Sequence, residues 1–560
     1  MATSLLPGDT LSLRKQRGAF FTPSAIADFL AAWATAGRTD ARILDPTCGE
    51  AVFLLAAARR LAANGAEPSA TPELLHGVDL HEESLEQSRR LLNAEGFDAD
   101  LVTGDFFAQP TPAQLGGHLP WMDAVIGNPP FVRYQEHRGD ARKLSAAAAL
   151  AQGVRLSGLA SSWAALLVHA CSFLKPDGRV AMVLPAELLT VGYGEPVRRW
   201  LRGRFERVHL VLFDELQFEG ADEQVVLLVA SGSGGCERDG FVLHEVRDAA
   251  ELERLHIFDS QSVTPEPEGK WTDLLLRKAQ RTLFHRVTEA SFTSLADYGN
   301  PELGTVTGGN DFFALSEATR KRFGLKHRHL TPIVPPGTRH VRGIGFTQAH
   351  WEELKLRDER VWLLNPATRR PTGGLARYLA HGEELGVPDA YKCTIRTPWW
   401  KPPVVTPPDL FFTYMSHRYP RLIANQGGVS FLNSMHGLRL RPDAPAIARD
   451  ALPLLVLNSV SMLGAEVFGR SYGGGILKME PREAAQLPVP APAVLSKAWK
   501  RIAGRQDQLD LLLRAGQWQD VVEAIDEAVL VDAAGIPRAD VLALRSEAAR
   551  LRRRRTRKDD

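Results

Sequence analysis

Over roughly the first 240 positions, apolar residues recur in two alternating rhythms. The stretches "SAIADFLAAWATA", "AVFLLAAARRLAAN", "HEESLEQSRRLLNAEG" and "SSWAALLVHACSFL" carry apolar side chains three and four residues apart, which predicts helices. Between them lie short, nearly unbroken apolar runs ("ARILD", "LLHGVDL", "DADLV", "MDAVIG", "RVAMVLP", "VHLVLF" and "QVVLLVAS"), which predict strands covered on both faces. Ser24, just after Thr22-Pro23, suits the N-cap of the first helix, and Gly65 closes the second. Strands separated by helices of about 10–15 residues imply an α/β layer, a mostly parallel sheet with helices on both faces. The close spacing of the last two strands implies an antiparallel hairpin at the sheet edge.

After "ASGSGGCERDG" at 230–240 the rhythm is lost. The chain therefore reads as a first domain at 1–240, a second of mixed character at 241–494, and a helical segment at 495–560 that ends in the basic tail "RLRRRRTRK". Within the second, 391–442 holds seven Lys/Arg and a single acid, interleaved with Trp399, Trp400, Phe411, Phe412, Tyr414 and Tyr419.

Composition narrows the class without choosing a function. With 44% hydrophobic and 24% charged residues the chain is an ordinary globular protein, and a net charge of +1 excludes a polybasic one. Any nucleic-acid surface must then be a local stripe balanced by acids elsewhere. The four cysteines (48, 171, 236 and 393) are scattered, with no CxxC pair, so neither a disulfide framework nor a metal site is expected. The opening "MATSLLPGDTLSLRKQRG" lacks a signal-peptide core, and no run approaches the roughly 20 apolar residues that span a bilayer. A cytoplasmic location is the expectation.

The chemistry lies at the carboxyl ends of the predicted strands, where parallel α/β sheets place their ligands. The first strand ends in Asp45-Pro46-Thr47-Cys48-Gly49, the second in Asp79, the third in Gly104-Asp105-Phe106 and the fourth in Asn128-Pro129-Pro130-Phe131. Taken singly, each has a plain structural use as a helix cap, a turn or a core ring. In order at successive strand ends they describe a nucleoside pocket beside an amine pocket. Asp79 is placed to accept from two ribose hydroxyls, Asp105 from an adenine amino group, and Phe106 to cover the adenine face. Two consecutive prolines delete two N–H donors and fix two φ angles, leaving a stiff lip that can only accept hydrogen bonds.

These motifs resemble the class I S-adenosylmethionine-dependent methyltransferases, and specifically the gamma-type N6-adenine DNA methyltransferases of restriction–modification systems. "RGAFFTPSAIADFL" resembles the N-terminal cofactor motif, "DPTCGEAVFL" the glycine loop, "GVDL" the ribose-binding motif, "GDFF" the adenine-binding motif and "NPPF" the catalytic motif. "LQFEGADEQVVLL" resembles the later motif whose aromatic, here Phe218, packs on the target base. One departure is Ala51, where the loop's second glycine is usual; its Cβ would crowd the cofactor or demand a negative φ.

The resemblance implies a Rossmann-like methyltransferase domain followed by a mixed α+β DNA target-recognition domain and C-terminal helices. It implies S-adenosylmethionine as cofactor, held by Thr22, Pro23, Asp45, Pro46, Cys48, Gly49, Asp79, Asp105 and Phe106. Catalysis would fall to Asn128, Pro129, Pro130 and Phe131, with Phe131 and Phe218 stacking on a flipped adenine. Lys392, Arg396, Lys401, Arg418 and Arg421 are the expected contacts to double-stranded DNA. A monomer is expected, working beside a cognate restriction endonuclease or another defence protein. An RNA adenine methyltransferase, a protein-glutamine methyltransferase and a catalytically inactive DNA-binding module remain as rivals.

Overall fold

Nine strands, among the described residues, form one sheet in the first part of the chain: β1 Ile43–Asp45, β2 Leu75–Asp79, β3 Asp100–Thr103, β4 Met122–Gly127, β5 Leu174–Pro185, β6 Arg207–Phe213, β7 Val225–Ser231, β8 Phe241–Val246 and β9 Ser262–Val263. The structure is a computed structural model that describes residues 22–131, 139–158, 160–214, 217, 225–232, 241–255, 262–263, 271–368, 370–472 and 475–556. It divides into two units, Met1–Thr272 and Asp273–Asp560.

The sheet order is β3-β2-β1-β4-β5-β7-β6-β8-β9. Strands β1 to β5 pair in parallel, with Ile43 opposite both Leu75 and Ala124. β7 runs antiparallel to β5 and β6. The expected hairpin is thus present but lies inside the sheet, because β8 pairs in parallel with β6 and carries β9 beyond it. That pairing also explains why the first unit runs to residue 272 and not 240: the chain crosses the Gly/Ser break and returns to the sheet.

Helices α1 Ser24–Thr35, α2 Val52–Ala63, α3 Glu82–Ala94, α4 Gly139–Ala151, α5 Ser162–Ala170 and α6 Glu195–Arg204 complete the layers. Ile26 and Leu30 of α1 and Leu54 and Leu61 of α2 are fully buried in one cluster with Ile43, Ile126, Val183 and Leu227 of the sheet. Each such side chain contributes about 1.5–3 kcal/mol by leaving water. All nine residues of α5 are buried. That fits an apolar run too continuous to show a solvated stripe.

The second unit contains a five-stranded sheet in the order Pro301–Leu303, His436–Leu438, Leu410–Phe412, Leu422–Asn425, Gly345–Phe346. The helices after residue 495 do not stand apart. Leu495, Leu509, Val521, Leu544 and Leu551 share one buried cluster with Phe284, Leu410 and Leu463. The basic tail is partly built in: Arg555 is 7% exposed and pairs with Glu466. Among the described residues no single helix is long and apolar enough to cross a membrane. The bent pair Ala448–Leu455 and Ser459–Phe468 is apolar because it is core.

Candidate active site at the switch point of the first sheet

Strand order reverses between β1 and β4, which run side by side and diverge to opposite halves of the sheet. Connections that leave these two strands in opposite directions open a crevice beyond their carboxyl ends. Asp45 sits at one lip of it and Gly127-Asn128 at the other. The two touch: a Cβ on Gly127 would lie 2.7 Å from Asp45 Oδ1, and Gly127 has φ +153°, so no other residue fits.

Asp45 is 1% exposed, and its Oδ1 accepts from Thr47 N at 3.1 Å. Burial, reinforced by the Asp79 charge and opposed by the Thr47 amide, pushes its carboxyl up to about 8. Asp79, at the end of β2, is held from two loops at once: Gly49 N donates to Oδ2 at 3.0 Å and His81 N to Oδ1 at 2.9 Å. Each oxygen keeps lone pairs beyond those bonds. Gly49 takes φ +48° with open space where a Cβ would stand. Cys48 and Pro46 are buried beneath the loop.

Ala51 also adopts a left-handed conformation, φ 58° and ψ 26°, and its carbonyl accepts the first α2 bond from Leu55 N at 2.8 Å. The loop thus keeps the glycine geometry despite the alanine, and the negative φ expected at this position is not adopted.

Asp105 caps the short helix Phe106–Ala108 through Phe107 N at 2.9 Å. Phe106 is 3% exposed, its ring edge-on to His169 at 4.9 Å and tilted on Phe173 at 5.1 Å; Phe107 is the more open of the two.

At the β4 exit the Asn128 amide donates through Nδ2 to Thr22 Oγ1 at 3.4 Å, joining the "FFTP" and "NPPF" segments across the fold. Asn128 Oδ1 is buried and has no partner among the described residues. The same holds for Asp45 Oδ2 and Thr47 Oγ1. These three oxygens, at the ends of β1 and β4, each cost about 1–3 kcal/mol unless a ligand or a water pairs with them. Pro23 caps α1, its carbonyl accepting from Ile26 N and Ala27 N. Pro129 is buried, Pro130 and Phe131 half-buried, and Phe131 leans on the core of the first unit. Phe218 lies outside the described residues.

Beside the lip is a group that no sequence motif announced. Ser162 Oγ donates to the Pro130 carbonyl at 2.5 Å, while Ser161 Oγ and Trp163 Nε1 donate to Glu187 Oε2 at 3.3 and 3.2 Å. Tyr193 donates its hydroxyl to the same oxygen.

In the second unit the basic stretch is divided in use. Arg421 donates to the Val341 and Arg342 carbonyls, each at 2.6 Å, and burial brings its guanidinium down to about 10. Arg396 donates to the Thr307 carbonyl and lies over the Phe313 ring at 5.0 Å. Lys392, Lys401 and Arg418 are exposed. Phe411, Phe412 and Tyr419 are core, and Trp399 packs on Phe312 and Phe313.

A mostly parallel sheet with one inserted antiparallel strand, acidic residues just beyond its first three strands and an asparagine at the exit of the fourth is the arrangement of a class I methyltransferase domain. The comparisons identify which kind. The profile of the N-6 DNA methylase family matches residues 9–201, and that of the C-terminal domain of the Type II methyltransferase M.Eco57I matches residues 268–530. The chain thus carries a region like that of the S-adenosylmethionine-dependent N6-adenine DNA methyltransferases, over residues 9–201. It is 22% identical over 481 residues to the Type II methyltransferase M.AccI of Acinetobacter calcoaceticus, covering 85% of each chain. It is 25% identical over 496 residues to the Type II methyltransferase M.XamI of Xanthomonas campestris pv. amaranthicola, covering 86% of this chain and 87% of that one. The fold is similar to that of the Type IIL restriction-modification enzyme MmeI, solved in complex with DNA, with a TM-score of 0.52 and 12% identity over 97% of this chain and 80% of that chain.

Proposed function

We propose that the protein methylates the N6 amine of an adenine flipped out of duplex DNA, with Asn128 Oδ1 and the Pro129 carbonyl each accepting a hydrogen bond from one of the amine's N–H groups, and the methylated nitrogen losing one proton after transfer. The buried, unpartnered Asn128 Oδ1 carries this reading. An exocyclic adenine nitrogen is a poor nucleophile because its lone pair is delocalised into the ring. Two acceptors on its N–H groups favour the more tetrahedral nitrogen and stabilise positive charge as it develops. S-adenosylmethionine supplies an activated sulfonium methyl. Asp79 would hold its ribose through the lone pairs left free by the Gly49 and His81 amides. Thr22, Pro23, Asp45, Pro46, Cys48, Gly49, Asp105 and Phe106 would complete the cofactor site.

Alignment provides most of the rate, so the lip must be stiff, and the prolines make it so. Extruding a base costs a few kcal/mol, and stacking on Phe131 and Phe218, about 1–3 kcal/mol for each ring, offsets part of that. In the second unit Lys392, Lys401 and Arg418 would meet phosphates, whereas Arg396 and Arg421 would brace the loops that present them.

The two relatives' designation as Type II methyltransferases supports a restriction–modification role, beside an endonuclease that cuts the same site when it is unmethylated. A cytoplasmic monomer fits that role. The test is transfer of labelled methyl from S-adenosylmethionine to duplex DNA, RNA and total protein. Label recovered as N6-methyladenine in DNA is the expected result; label confined to RNA or to protein glutamine would contradict it.

A further inference from the structure

We infer that Ser162, at the start of α5, is a positioning residue that sets the amine-binding lip through the carbonyl of Pro130. The inference rests on the reading of Asn128 and Pro129 as the acceptors and goes one step behind them. Both prolines have a fixed φ. Asn128 and Pro129 each precede a proline, which restricts them to extended ψ values. Pro130 precedes Phe131, so its ψ is the torsion of the lip that local sterics leave loose. That torsion decides where the Pro130 carbonyl points and where Phe131 begins. Ser162 Oγ, on a residue 6% exposed, stands 2.5 Å from that carbonyl and pins it. With the Pro130 oxygen engaged, the Pro129 carbonyl is left to the amine. Among the described residues no backbone N–H outside the regular helices and strands donates to it.

The serine is itself aimed. Its neighbours in the first turn of α5, Ser161 and Trp163, both donate to Glu187 Oε2, and Ser161 Oγ stands 3.0 Å from the Tyr193 hydroxyl, which donates to that oxygen too. Glu187 follows β5, the strand beside β4, so the network ties the lip to the next strand exit of the same sheet. A carboxylate at a helix N-terminus is electrostatically favourable, which further holds the first turn of α5 in place.

The experiment compares wild type, Ser162→Ala, Ser162→Thr and Asn128→Ala as full chains on unmethylated duplex genomic DNA. It measures the single-turnover methylation rate, S-adenosylmethionine affinity by calorimetry and the melting temperature. Loss of one hydrogen bond that matters in the productive arrangement lowers the Ser162→Ala rate about tenfold, with cofactor affinity within about twofold of wild type. Ser162→Thr, which keeps the hydroxyl, stays within about threefold of wild type in rate. An unchanged rate in Ser162→Ala overturns the inference. So does equal loss in the alanine and threonine variants, or a fall in rate matched by a fall in cofactor affinity. The Asn128→Ala arm separates the two layers. If that variant methylates normally, the underlying reading fails; if it is inactive while Ser162→Ala is normal, only the positioning role fails.

Discussion

Ala51 holds a backbone shape that glycine adopts without strain. For an L-residue the left-handed conformation costs about 1–2 kcal/mol. Against that, its methyl is fully buried, worth about 0.8 kcal/mol, and alanine loses less chain entropy on folding than glycine, by about 0.5–1 kcal/mol. The terms nearly cancel, so Ala51→Gly changes unfolding free energy by less than about 1 kcal/mol. Ala51→Val, with a branched Cβ at the same φ, destabilises by more than about 2 kcal/mol. Urea titration of both variants decides it, and a valine variant as stable as wild type would contradict the left-handed assignment. The sequence marked position 51 as unusual but not how the loop resolves it, because an alanine's φ is set by the helix and strand it joins. Asn128 was legible in its motif. Its link to Thr22 was not, since the two are 106 positions apart and meet only through the fold.

At the scale of elements, β6 and β8 bring two histidines together in the sheet. His209 Nδ1 and His244 Nε2 are 3.1 Å apart, their rings stack at 5.3 Å, and the edge of Trp33 closes on His209. Burial lowers both to about 4, with His244 and Arg207 adding to the effect on His209. Their folded values lie below the ordinary 6.5. The stability they allow is therefore complete above about pH 6.5 and lost as pH falls towards about 4, by an amount on the order of a few kcal/mol. The expected outcome is a melting temperature of the first unit that drops by several degrees from pH 7 to pH 5, with a flatter slope in the His209→Leu/His244→Leu variant. An equal slope in that variant would show that other groups govern the acid response. β8 itself was hard to foresee: "FVLHEV" follows a Gly/Ser break, and nothing local says that it rejoins a sheet it has left. Helices α1, α2, α3 and α5 were legible from their apolar spacing and β1 to β5 from their apolar runs, whereas α4 and α6 were not foreseen. The final helix was legible as a helix but not as core. A run of arginines reads as solvated, yet Arg555 reaches Glu466 and the carbonyls of His417 and Arg418.

Across the whole molecule, two units carry two tasks, chemistry in the first and, by the proposal above, DNA reading in the second. In the first, the strand-end positions of Asp45, Asp79 and Asn128 could be reasoned out because each follows an apolar run that the structure shows as a strand. The second could not: seven basic residues lie in 391–442, but charge alone does not distinguish Lys392, which is exposed, from Arg421, which is spent on the backbone carbonyls of Val341 and Arg342. The account depends on a rigid pair of oxygens at the β4 exit receiving an amino group. Its most direct test is the Asn128→Ala protein, assayed for methyl transfer to duplex DNA and, separately, for S-adenosylmethionine binding. The account predicts that transfer falls at least about 100-fold, as for other preorganised acceptor or donor groups, with cofactor affinity retained. Methylation near the wild-type rate in that variant would contradict it.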